Sequence, residues 1–169
     1  AGTLMLTGTN TYTGGTTIIS GNLALGGNST LGGGSYSGAI SNSGTFTYGS
    51  AAAQVLNGTI SGNGTVVQNG TGKLTINHSN TYGGGTIVTS GTLVAGTSTA
   101  VIGGNISSGP FGTGTITLGT GSTSEDNGSA ITLANSFSLS GTIALGSLGN
   151  GSLNFDGTML LTPANVTLT

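Results

Sequence analysis

A repeat without gaps constrains this chain more than any other feature. The stretch Gly2-Thr3-Leu4-Met5-Leu6 through Gly26 superimposes on Gly72-Lys73-Leu74-Thr75-Ile76 through Gly96 at an offset of 70, with 12 of 25 positions identical. The matches include Asn10-Thr11-Tyr12 with Asn80-Thr81-Tyr82, Gly14-Gly15-Thr16 with Gly84-Gly85-Thr86, and Ser20-Gly21 with Ser90-Gly91. Self-similarity of this kind is the mark of repeat architectures, in which each unit buries its apolar face only by stacking on its neighbours.

Composition decides whether such a chain folds. Of 169 residues, 36 are Gly, 52 are Ser or Thr and 15 are Asn, while 2% are charged. Disordered chains of polar composition carry high net charge and few β-branched residues. Here the net charge is −2 and 34% of residues are hydrophobic, with Thr, Val and Ile throughout, so a fold rich in strands is expected. Lys73 is the only basic residue besides His78, which excludes a phosphate backbone as partner. With no cysteine there is neither a disulfide framework nor a thiolate metal site, and no apolar run reaches the length of a membrane span.

Short apolar alternations bounded by glycine read as strands: 44–48, 58–61, 64–67, 114–118, 130–133, 137–139, 141–145, 152–155 and 159–161. Asn-Gly pairs at Asn57, Asn63, Asn69, Asn127 and Asn150 mark turns. A sandwich gives no reason for a fixed 70-residue register, whereas a parallel β-helix does. In it Leu, Ile and Val face inward, and Thr and Ser form outward ladders that need no charge. The expectation is a single all-β solenoid over 1–169, with repeat units at about 2–26 and 72–96. At roughly 20 to 25 residues per coil it makes about seven or eight coils and a rod roughly 35 Å long.

The run Gly70-Thr71-Gly72-Lys73-Leu74-Thr75-Ile76, then Asn80-Thr81-Tyr82-Gly83-Gly84-Gly85-Thr86 and Ser90-Gly91-Thr92-Leu93, resembles the passenger-associated β-strand repeat of bacterial autotransporters. Leu56 to Gly64 resembles the strand that leads into that repeat, and Gly109 to Gly114 with Leu133-Ala134-Asn135 resembles the segment on its C-terminal side. The resemblance implies a right-handed parallel β-helix on the bacterial cell exterior, often the stalk of a large adhesin, and does not imply an enzyme.

Candidate chemistry is confined to Glu125, Asp126, Asp156, His78, Lys73 and hydroxyls. Glycoside cleavage needs a pair of carboxylates across a bond. Glu125 and Asp126 instead adjoin in what reads as a polar loop, so a polysaccharide-cleaving enzyme is the remote alternative. Glu125-Asp126-Asn127-Gly128 offers oxygen ligands of the kind calcium takes, although a solvated turn accounts for it more simply. No catalytic residue, metal site or cofactor is expected. His78 and Lys73 align with Gly8 and Thr3 at outward positions.

Tyr12 and Tyr82 recur at one repeat position, either as a stacking platform for sugar rings or, better, as a cover over the core edge at a corner. Nine Asn-X-Ser/Thr triplets, at Asn28, Asn57, Asn63, Asn69, Asn77, Asn105, Asn127, Asn150 and Asn165, are largely a product of composition. Both ends of the sequence read as strand without a polar cap. Leu4, Leu6, Val166 and Leu168 are therefore candidate contacts with further β-helix, in the same chain or in identical subunits stacked head to tail. A structural rod is the first reading and a module that binds surface glycans the second.

Overall fold

The computed structural model describes residues 1–146, 151–162 and 166–168. Nearly all regular structure is short strands, and the one helical element among the described residues is a single 3₁₀ turn at Gly32–Gly34. One side of the molecule is an eight-stranded parallel sheet: Thr3–Leu6, Asn22–Gly27, Thr45–Ser50, Thr65–Gln68, Thr86–Val88, Ile116–Leu118, Phe137–Leu139 and Met159–Leu161. A second side is a seven-stranded parallel sheet of Ser35–Tyr36, Gln54–Leu56, Lys73–Ile76, Gly91–Ala95, Ser122–Asp126, Thr142–Gly146 and Thr167–Leu168. Between these in chain order run Thr16–Ile18, Ile40–Asn42 and Ile60–Ser61 in one small parallel sheet, and Ala130–Leu133 with Ser152–Phe155 in another. The chain is thus a three-sided parallel β-solenoid of about eight coils.

Register follows from alternation. Along the eight-stranded side one inward column reads Leu4, Leu23, Phe46, Val66, Thr86, Ile116, Phe137, Met159. Successive members lie 19 to 23 residues apart, except for a step of 30 between Thr86 and Ile116. From Leu23 to Phe137 this column is buried, and so is the parallel one through Leu25, Tyr48, Val88, Leu118 and Leu139. Burying an aliphatic or aromatic side chain contributes about 1.5–3 kcal/mol, so the column is the main source of cohesion along the axis.

Corners are built from glycine and carboxamides. A Cβ on Gly44 would run into the carbonyl oxygen of Gly21, and one on Gly64 into that of Gly44, so this corner column stacks backbone on backbone. Carbonyls freed where the chain turns are met by buried amides. The Nε2 of Gln68 donates to the carbonyls of Gly70 (3.2 Å) and Gly72 (2.7 Å), while Gln54 accepts from the N–H of Leu31 (2.7 Å) and donates back to its carbonyl (3.2 Å).

Three features depart from the sequence reading. Hydroxyls are not all outward, since Ser50, Thr86, Ser122 and Ser124 are buried. The supposed polar loop before Asn127 is strand Ser122–Asp126, held by pairing on both edges to Gly91–Ala95 and Thr142–Gly146 although it has no apolar alternation. The 30-residue step holds an antiparallel hairpin, Ala100–Ile102 with Asn105–Ser108, turned by Gly103 and Gly104 at φ 59 and 81. Left-handed backbone at both turn residues matches the twist of such a hairpin, and glycine reaches it without strain.

Candidate functional site

The Asn-Thr-Tyr segment of the repeat is an intercoil staple. In the second copy the Nδ2 of Asn80 donates to the carbonyls of His78 and Pro110, both at 2.8 Å, and its Oδ1 accepts the N–H of Ile60 at 2.6 Å. One side chain therefore ties its own coil to those before and after it. Tyr82 is fully buried, and its phenol lies 2.6 Å from the hydroxyl of Thr86. The single hydroxyl proton of Thr86 goes to the carbonyl of Phe111 (3.1 Å), so Tyr82 donates to Thr86. Burial raises the pKa of this phenol far above its ordinary value, and the Thr86 bond offsets only part of that.

The first copy repeats this chemistry with one neighbour fewer. The Nδ2 of Asn10 donates to the carbonyls of Gly8 (2.8 Å) and Thr30 (3.1 Å). Tyr12 is 40% exposed, lies edge-on to Tyr36 with ring centres 5.5 Å apart, and hydrogen-bonds Thr16 at 3.1 Å. The Tyr36 phenol donates to the carbonyl of Gly14, so Thr16 donates to Tyr36 and Tyr12 to Thr16. Both tyrosines lie outside the strands, and buried Tyr82 presents no ring face to a ligand.

The first coil also opens a concavity of about 670 Å³ onto the core, lined in part by Leu4, Leu6, Tyr12, Ile18, Ile19 and Leu23. Leu4 is 63% exposed, while Leu6 is partly buried against the core. At the other end Val166 packs partly against the core and Leu168 is 54% exposed. Sequence reasoning left out Met5, Met159, Leu160 and Leu161, which are as exposed as these, and the hairpin residues Val101 and Ile102.

Charged groups do not converge. Alternation along Ser122–Asp126 sends Glu125 outward and Asp126 inward, so the two carboxylates cannot hold one ion between them. Glu125 pairs with Lys73 at 3.0 Å, spanning the intervening strand Gly91–Ala95, where Glu125 stands in register with Val94 and Lys73 with Thr92. Asp126 is buried and accepts the N–H of Gly128 at 2.6 Å. Asp156 lies beyond strand Ser152–Phe155, away from the seven-stranded side that carries Glu125, and His78 is exposed at a corner. No group of three or more His, Asp or Glu side chains among the described residues is placed to hold a metal. Asn150 and Asn165, two of the nine triplets, lie outside the described residues.

No curated protein and no solved structure matches the chain. The model of the passenger-associated-transport-repeat matches residues 1–25 and 66–95, nearly the two segments that superimpose at the 70-residue offset. The repeat that the sequence resembles is therefore present twice in this β-solenoid, at residues 1–25 and at residues 66–95.

Proposed function

We propose that this chain is a non-enzymatic section of an extracellular bacterial stalk, a stiff spacer of few charges that holds other parts of a surface protein away from the cell and stacks end to end with further β-helix. The observation that carries this reading is the unbroken inward column of the eight-stranded side, which makes the rod one continuous core rather than a string of hinged units. The repeat match supports the cell-exterior setting. The scattered carboxylates, one of them committed to Lys73, support the absence of catalysis.

Surface display tests it. The chain is placed between an epitope and a translocating outer-membrane barrel, once as a single copy and once as a tandem duplicate. The expected result is an antibody-accessible epitope whose height above the membrane rises by roughly 38 Å per added copy, from eight strand spacings of about 4.8 Å. An epitope that stays inaccessible, or a height unchanged by duplication, defeats the reading. An adhesive role has less support, because Tyr82 is enclosed and only Tyr12 offers part of a ring.

A further inference from the structure

An Asn-Gly pair is a place where a backbone nitrogen can attack the preceding side chain, because glycine adds no Cβ to crowd that nitrogen. Four of the five pairs fall among the described residues, at Asn57, Asn63, Asn69 and Asn127, while Asn150 lies outside them. The solenoid sets the four in different surroundings. The N–H of Gly64 donates to the carbonyl of Asn42 (2.8 Å) and that of Gly70 to the carbonyl of Tyr48 (3.1 Å), so both nitrogens are held in bonds that join coil to coil. Asn57 is tied at both ends of its amide, its Nδ2 donating to Ser35 (3.1 Å) and its Oδ1 accepting from Asn77 (2.9 Å). Carbonyl and amide oxygens are far weaker bases than a carboxylate, and the chain has only three carboxylate side chains, Glu125, Asp126 and Asp156.

Asn127 differs because one of those three meets it. Asp126 is buried, and its Oδ1 accepts the N–H of Gly128 at 2.6 Å. The Oδ1 of Asn127 accepts the N–H of Ser129 at 3.2 Å, and its Nδ2 donates to the carbonyl of Gly96 at 3.1 Å. Gly128 holds a φ of 93, in the left-handed region that favours glycine. Asn127, Gly128 and Ser129 are all exposed to water. Four consecutive residues thus carry a base, a nucleophilic nitrogen, a carbonyl carbon and a donor to that carbonyl's oxygen.

We propose that Asn127 is a self-modification site, converted to aspartate and isoaspartate through a succinimide, with Asp126 as the general base. Asp126 takes the proton from the Gly128 nitrogen as that nitrogen bonds to Cγ of Asn127. Negative charge develops on the Oδ1 of Asn127, where the N–H of Ser129 stands ready to receive it. The Cγ–Nδ2 bond then breaks, and the proton held by Asp126 leaves with that nitrogen as ammonia, which restores the carboxylate. Water opens the succinimide ring at either carbonyl. The change removes the Nδ2 tie to Gly96 and adds one negative charge to a chain of net charge −2. In the isoaspartate form the main chain runs through the side-chain carbon, which lengthens the connection between Ser122–Asp126 and Ala130–Leu133.

The full folded chain, incubated at neutral pH and sampled over time, tests this. Peptic digestion and mass spectrometry follow amide-to-acid conversion at each Asn-Gly pair, and enzymatic methylation reports isoaspartate. Asn127 is expected to convert roughly a hundredfold faster than Asn63 and Asn69, the lower end of what a positioned base contributes. In the urea-unfolded chain the four rates should converge. Asp126→Asn keeps an oxygen for the Gly128 N–H but removes the base, and should slow Asn127 by about tenfold or more while leaving Asn57, Asn63 and Asn69 unchanged. Ser129→Pro, which removes the donor to Oδ1 and keeps the base, should slow Asn127 as well, with circular dichroism confirming the fold of each variant. Conversion of Asn127 no faster than that of Asn63 and Asn69 in the folded chain overturns the proposal, as does an advantage that persists undiminished in urea. A folded Asp126→Asn chain that keeps the wild-type rate overturns it too. The comparison within the wild-type chain decides the matter even where a variant fails to fold.

Discussion

Asn80 and Asn10 show how one residue type takes different weight from its place along the axis. Replacing Asn80 by Ala leaves the N–H of Ile60 and the carbonyl of Pro110 without partners inside the protein. Each stranded buried group costs about 1–3 kcal/mol. The expected loss for Asn80→Ala is therefore about 2–5 kcal/mol in urea unfolding, with Asn10→Ala markedly milder because it touches only one neighbouring coil. Equal losses for the two variants would contradict the staple role. The tyrosines give a pH test. Burial raises the phenol pKa of Tyr82, Tyr36 and Tyr48, so the folded state disfavours the phenolate. Stability from this source is complete below the unfolded phenol value of about 10 and falls as pH rises above it. The urea midpoint should hold between neutral pH and that point and then decline, with tyrosinate absorbance appearing as the chain unfolds.

Among the elements, the hairpin Ala100–Ser108 is the most separable. It projects from the rod with Val101 and Ile102 uncovered, and the flanking Thr99 and Gly109 make the contacts to the solenoid through Thr132 and Asn80. Excising 100–108 and closing the gap with a short Gly-Asn turn should shift stability by no more than about 1 kcal/mol, as loop length alone changes closure entropy slowly. A collapse of the fold on excision would show the hairpin to be structural. Its signal stood in the sequence, a Gly-Gly pair between Val-Ile and Asn-Ile, but the expected coil length left no room for an insertion. Strands such as Thr45–Ser50 were legible because Phe46 and Tyr48 alternate with polar residues. Ser122–Asp126 was not, because its conformation is imposed by the strands on either side and no local pattern records that. The enclosed setting of Tyr82 was equally hidden, since Gly112 and Thr113 come against it only after the inserted hairpin.

For the whole molecule, cohesion without charge has a measurable signature. The Lys73–Glu125 pair is the one ion pair among the described residues, and exposed pairs contribute about 0–1 kcal/mol. Thermal unfolding in molar sodium chloride should then differ little from that at low salt, because screening has almost nothing to weaken. A drop of many degrees would point to electrostatic support that the geometry does not contain.

The two repeat copies also differ in which way they face. Thr3–Leu6 belongs to the eight-stranded side and its counterpart Lys73–Ile76 to the seven-stranded side, yet each pairs with a strand one coil later at the same spacing, Thr3 with Asn22 and Lys73 with Thr92. Seventy residues therefore advance the chain by three coils and one further side. A rod lengthened by duplicating this unit would carry any recurring surface residue as a spiral stripe, presented in turn on each side like the thread of a screw. Such a shaft offers its surroundings the same features in every direction, whichever way it is rotated.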